Sequence, residues 1–247
     1  GHSVGRIAAL SDADLKGLAA PPAAVATLAP SVGVIPLDTE AFRQALAALD
    51  TAALDHELSR LAAALSPRQL VQDVLLPAMR EAGDQWHRVR GGIAHEHLLS
   101  ATMRSLLGSF VRIHARRDAH VRLVFTTPSG DRHEIGILGA ALLAASRGLG
   151  VSYLGPDLPA ADIVEAVRAS HAQVLVLGLT LEQTGRAFAR ELAAILDGLS
   201  PSVEIWAGGS AAPRHAERLQ PRALVLGDFG MYLQQLDRVG QVGQRLS

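Results

Sequence analysis

Between residues 39 and 115, apolar side chains recur every three or four positions. After residue 120 that period gives way to short, continuously apolar runs separated by helical stretches. The first pattern predicts four helices, over 39–50, 52–65, 67–89 and 93–115. Asp38 and Thr39 offer caps for the first, and Ser66-Pro67 opens the third in the favoured cap-then-proline order. Gly91-Gly92 breaks the third from the fourth. Such short connections between apolar-striped helices argue for an antiparallel four-helix bundle. The second pattern predicts strands over 121–127, 151–154, 174–179, 203–206 and 224–226. Strands that are apolar throughout and alternate with helices require a parallel sheet buried on both faces. The fold class is therefore α/β: an N-terminal four-helix bundle (38–117) followed by a doubly wound parallel-sheet domain (120–247). Ahead of both, 21–37 is rich in Ala and Pro and reads as a linker.

Composition narrows the function. The chain has 247 residues, ample for a core, with 49% hydrophobic and only 4% aromatic positions, as expected of packed helices and α/β layers. A net charge of −1 argues against a free-standing nucleic-acid binder, which needs a basic surface. The basic stretch Arg112-Ile113-His114-Ala115-Arg116-Arg117 reads as a solvated helix end, where cations are favoured. With no cysteine, disulfides and thiolate metal sites are excluded, and the cytoplasm is the natural compartment. No signal peptide and no run of membrane-spanning length is visible, so a soluble protein with no membrane partner is expected.

The most informative segment is Ser129-Gly130-Asp131-Arg132-His133-Glu134-Ile135-Gly136, between the first strand and the helix after it. A metal-ligating His usually gives its second ring nitrogen to a carboxylate, which fixes the tautomer and raises its basicity. Asp131 is placed to do that for His133. Ligands of doubly wound sheets sit outside the carboxyl ends of the strands, and His133 falls at that edge. Thr180 follows the third strand and Gly208-Gly209 follows the fourth, where glycines let a backbone approach a bulky ligand. A dinucleotide site is the rival, but no G-x-G-x-x-G follows the first strand and no G-K-[ST] occurs anywhere.

The Asp-x-His-x-x-Gly spacing, opening a strand–loop–helix unit, resembles the signature of cobalamin-binding domains. The resemblance implies that His133 is the lower cobalt ligand, replacing the cofactor's own benzimidazole. It implies further that Thr180 and Gly208-Gly209 flank a buried nucleotide tail, and that Gly136 and Gly139 leave room for it on the first helix. The family's Ser-x-Leu is not reproduced: the chain reads Thr180-Leu181-Glu182.

In the bundle, Trp86-His87 ends the third helix and Glu96-His97 lies in the first turn of the fourth. A tight turn between them brings a large aromatic, a carboxylate and two or three imidazoles (His95 included) together. A Trp face packs against a planar group, and a carboxylate accepts bonds from ribose hydroxyls. Trp, nine residues, then Glu-His is similar to the signature of the CarH/LitR family, MerR-type light-sensing repressors with adenosylcobalamin as chromophore. That resemblance implies that Trp86 and Glu96 hold the adenosyl group and that His87 takes the upper cobalt position after light. His97 then supports the pocket. It also implies a sensor rather than an enzyme, working as a homo-oligomer (dimer or tetramer). Residues 1–20 look like the tail of a MerR-type winged-helix domain; DNA contact would need such a domain, which is not complete in this chain.

Other readings stay open at this point. Three histidines and Glu96 are also suitable zinc ligands, although no His-x-x-x-His pair lies among His87, His95 and His97. The cluster also reads as ordinary surface polarity. A corrinoid carrier for methyl transfer pairs a bundle with the same sheet, and a drifted relative would hold another cobalamin form or signal to a protein partner.

Overall fold

The computed structural model describes residues 39–86, 92–116 and 118–245, except for the side chains of 84–86 and 242–245. The expected linker and winged-helix remnant, with the Asp38 cap, lie outside the described residues.

Four helical elements come first: α1 (Glu40–Ala47), α2 (Thr51–Ala64), α3 and α4 (Gly92–His114). The α3 element joins Pro67–Gln69, a π-helical segment Leu70–Leu75 and Leu76–Trp86. Asp50, which the hydrophobic pattern does not reveal, caps α2 by accepting from the Ala53 N–H at 3.0 Å. Ser66 opens α3 as expected, in a reciprocal capping box with Gln69. Buried Leu54, Leu58 and Leu61 form the inner stripe of α2, and Leu99, Met103, Leu107 and Val111 that of α4. The stripe of α4 is central: it packs against α1, α2 and α3. An Arg43–Glu81 pair at 3.5 Å adds a link from α1 to α3.

The second half is a five-stranded, all-parallel sheet. Its strands are β1 (Arg122–Pro128), β2 (Gly150–Leu158), β3 (Val174–Gly178), β4 (Glu204–Gly208) and β5 (Leu224–Val225). They lie in the order β2-β1-β3-β4-β5. The connecting helices are α5 (Ile135–Ala145), α6 (Ala160–Ala169), α7 (Arg186–Gly198), α8 (Ala216–Leu219) and α9 (Phe229–Arg245). Alternation along the strands splits the core in two. Val124, Leu175, Leu177, Ile205 and Ala207 face α6 and α7. On the other side, buried Trp206 meets Tyr232 of α9 edge-to-face, and the Tyr232 hydroxyl donates to the Ala140 carbonyl of α5 at 2.8 Å. β2 runs longer than its apolar core suggests. Its extension passes Gly155 (φ 89°) and Asp157 (φ 65°), where the register with β1 shifts, and a turn-like Gly-Pro hides it from the hydrophobic pattern.

The chain leaves β1 towards β2 on one side and continues through β3 on the other. The carboxyl ends of β1 and β3 are therefore the point where the winding reverses, where such sheets bind ligands. The helical half reaches this edge by packing α4 and α3 on α5. A Cβ on Gly139 would stand 3.1 Å from Val71 Cγ1 of α3. Gly139 is thus a docking point for α3 rather than room for a ligand, which corrects its expected place along a tail slot.

Candidate functional site

The loop after β1 is built around Asp131, which is 1% exposed. Its Oδ2 accepts the backbone N–H groups of Thr180 at 2.6 Å and Leu181 at 3.1 Å, tying the β1 loop to the β3 loop. Its Oδ1 accepts the His133 backbone N–H at 3.1 Å and ring Nδ1 at 3.0 Å. Burial works to raise the Asp131 carboxyl, but the bonds from the His133 ring and from these three N–H groups outweigh it and hold it below the ordinary carboxylate range. It is a fixed negative charge under the imidazole.

His133 responds in the opposite sense. The Asp131 hydrogen bond raises its pKa above the ordinary value, burial opposes, and the charges of Asp131 and of Glu96 add to the rise. With Nδ1 committed to Asp131, Nε2 is the nitrogen able to bind a metal. The ring is half-exposed and lines a cavity of about 530 Å³.

That cavity runs along the carboxyl ends of β3, β4 and β5. Gly136, Thr180, Gly208 and Gly209 line it, as the sequence suggests, together with Gly178, Ser210 and the stretch from Leu226 to Gly230. Nothing lies within 4 Å of a Cβ built on Gly136, so its lack of a side chain is open space on the ligand side. Gly209 has another reason to be glycine: its φ is +107° and a Cβ there would overlap the Leu179 carbonyl. Thr180 serves through its backbone, its N–H to Asp131 and its carbonyl to the Ser210 hydroxyl at 3.0 Å. Where the family has Ser-x-Leu, Leu181 is exposed and Glu182 pairs with Arg214.

The helical half contributes Gln72, Leu76 and Arg80 of α3 to the same cavity, none of which the sequence singles out. Glu96 is half-buried in α4, and its charge acts on His133. His97 is exposed. His95 is used elsewhere: its Nε2 lies 3.2 Å from the Ala47 carbonyl at the end of α1. Trp86 is the last residue of α3; its side chain, and all of His87, lie outside the described residues. Among the described residues no three His, Asp or Glu side chains form a metal-holding group.

Sequence reasoning misses a second polar cluster beside His133. Glu134 is 7% exposed, and its carboxylate accepts from Arg104 of α4 and, at 2.5 Å, from the Tyr153 hydroxyl of β2. Burial and this bond push the Tyr153 phenol well above its ordinary value. A charged residue adjoining the motif was the available signal, but its partners are 30 and 19 positions away in sequence.

Two family models, each described as a B12 binding domain, match residues 39–109 and 121–233, the helical half and nearly all of the sheet. The chain belongs to the B12-binding proteins. This B12-binding chain is 30% identical over 176 residues to the HTH-type transcriptional repressor CarH of Myxococcus xanthus, covering 71% of the chain and 58% of that protein. It is 32% identical over 162 residues to the repressor CarA of the same organism, covering 63% and 54%. It thus spans little more than half the length of these curated relatives and corresponds to a CarH-like cobalamin-binding region. Among solved structures, the monomethylamine corrinoid protein of Methanosarcina barkeri superposes with a TM-score of 0.62 over 80% of this chain and 96% of that one. At 17% identity that likeness shows the shared fold. The residues present fit a cobalamin: an imidazole backed by a buried carboxylate, beside a glycine-lined cavity. Among the described residues no helix is long and apolar enough to cross a membrane.

Proposed function

We propose that this chain is the adenosylcobalamin-binding, light-sensing region of a transcriptional repressor. The observation that carries the reading is spatial: His133, from the Asp-x-His loop of the sheet, lines one cavity together with Gln72, Leu76 and Arg80 of the helical half. The Trp-x9-Glu-His signature belongs to that same helical half. When bound, adenosylcobalamin supplies a cobalt–carbon bond that light cleaves.

The chain's own residues then have distinct tasks. His133 Nε2 would hold the cobalt, and Asp131 fixes the tautomer that leaves this nitrogen available. Thr180, Gly208 and Gly209 border the nucleotide tail, with Gly136 leaving room for it. Trp86 and Glu96 would hold the adenosyl group from the helical side, with His97 supporting that pocket. His87 would supply a histidine ligand to the cobalt once light has released the adenosyl group. Loss of the adenosyl contacts shifts the bundle and weakens a homo-oligomer, a dimer or tetramer, so that DNA binding by a winged-helix domain is released. In this reading the protein senses rather than catalyses, and acts in the cytoplasm.

The test is to load the protein with adenosylcobalamin in darkness and record its mass in solution and absorption spectrum before and after green light. The expected result is a dark oligomer that falls apart as a bis-histidine spectrum appears. Unchanged mass and no protein-specific photoproduct contradict it and favour a methyl-carrying corrinoid protein.

A further inference from the structure

Glu134 occupies the position just before α5, the usual place for a helix cap, yet its side chain makes no cap hydrogen bond. Its carboxylate is turned the other way, into the interface between the two halves. One oxygen takes Arg104, on α4, and the other takes Tyr153, on β2. Tyr153 stands beside Phe125 of β1, on the strand that leads into the His133 loop. The main chain between Asp131 and Glu134 is therefore clamped at both ends. Asp131 holds the His133 N–H, and Glu134 is pinned to a sheet residue and a helical-half residue at once.

A carboxylate this deeply buried is costly to leave under-bonded. If α4 moves away from α5, Arg104 leaves with it, and Glu134 keeps only a neutral phenol as donor. The carboxylate must then re-aim, and it is covalently next to His133. The opposite holds as well: a shift of His133 disturbs the seat of Arg104. Coupling of this kind is reciprocal.

The geometry points to Arg104–Glu134–Tyr153 as the joint that couples the position of the helical half to the setting of His133. Arg104 is the movable part, Tyr153 the anchor, and Glu134 a positioning residue for His133. The consequence for cobalamin rests on the function proposed above; the joint itself is testable without any cofactor.

The experiment uses the full chain, whose lack of cysteine permits paired spin labels at exposed Ser59→Cys on α2 and Ala161→Cys on α6. Interlabel distances and the NMR resonances of the His133 imidazole are recorded in cobalamin-free wild type, Arg104→Met, Arg104→Lys, Glu134→Gln and Arg104→Met/Glu134→Gln. Hydroxocobalamin affinity is then measured for each by absorbance. Arg104 is half-exposed, so its replacement opens no cavity in the core, and circular dichroism of each variant checks that it is folded before it is compared. Arg104→Met is expected to broaden the distance distribution, shift the His133 resonances and weaken hydroxocobalamin binding by about tenfold. Arg104→Lys recovers part of each effect, and the double variant is no worse than Glu134→Gln, because both substitutions break one contact. A changed distance with unmoved His133 resonances overturns the proposal, as do additive effects or a wild-type-like Arg104→Met. Absence of hydroxocobalamin binding by wild type, with both cofactor-free effects present, leaves the joint standing and defeats the cobalamin reading instead.

Discussion

Asp131 Oδ1 takes both the backbone N–H of His133, at 3.1 Å, and its ring Nδ1, at 3.0 Å, so one buried carboxylate fixes that imidazole at two points. The same side chain, through Oδ2, draws in the β3 loop. Asp131 is at once the keystone of the switch-point loops and the partner that occupies Nδ1 of His133 and leaves Nε2 to the cavity side.

Replacing Asp131 with Asn keeps the shape but turns one acceptor oxygen into a donor facing backbone N–H groups. We expect Asp131→Asn to cost roughly 2 kcal/mol of stability, from an unsatisfied buried donor and lost charge-assisted bonds. Cobalamin affinity falls by about 10- to 100-fold, as for removal of a partner behind a metal-binding His. Thermal unfolding and an absorbance titration read the two effects.

His133→Ala separates ligation from folding. The ring is half-exposed, so stability changes by no more than about 0.5–1 kcal/mol. The histidine-ligated spectrum is lost outright. A variant that keeps the wild-type spectrum places the ligand elsewhere.

The glycines are expected to fail in two different ways. Gly136→Leu projects into open cavity space, so the protein folds normally and loses cobalamin binding. Gly209→Ala forces a Cβ into the Leu179 carbonyl at a positive φ, and costs roughly 1–3 kcal/mol or more of stability. Denaturant melts and binding titrations of both variants distinguish space for ligand from space for backbone.

His215 contributes to the loss of stability in acid. It is 4% exposed, packs on Phe188 at a ring distance of 4.9 Å, and neither ring nitrogen has a partner among the described residues. Burial, with a smaller contribution from Arg218, lowers its pKa below the ordinary value. The unfolded chain therefore binds the His215 proton first as pH falls through about 6.5, so this residue's contribution to stability declines below that pH and is constant above it. The raised His133 works the other way, contributing stability that is lost as pH rises above about 6.5. His215→Leu is expected to flatten this slope in denaturant melts across pH 5 to 8 (about the range of histidine titration), at little cost near neutrality.

Much of the architecture was legible because it rests on local periodicity. Leu99, Met103, Leu107 and Val111 announce a helix, and the apolar runs of β1 and β3 announce buried parallel strands. Asp131, His133 and Gly208-Gly209 were legible because strand ends and metal chemistry limit what such residues do. Gly139 was misread since a small residue looks alike whether it makes way for a ligand or for Val71. The π-helical segment over Leu70–Leu75 and the Arg104–Glu134–Tyr153 cluster depend on contacts between distant segments. Composition carries no mark of those. Arg80 and Gln72 reach the cavity only because α3 is carried there by its packing on α5.

The proposed function turns on one bond, from His133 to cobalt. The direct measurement is electron paramagnetic resonance of the protein loaded with the cobalt(II) form of cobalamin, prepared with ordinary histidine and with ¹⁵N-histidine. The axial nitrogen splitting is expected to change from triplets to doublets on labelling, and His133→Ala to abolish the change. Triplets that persist in the labelled wild type would mean that the cofactor keeps its own base and that His133 is not the cobalt ligand.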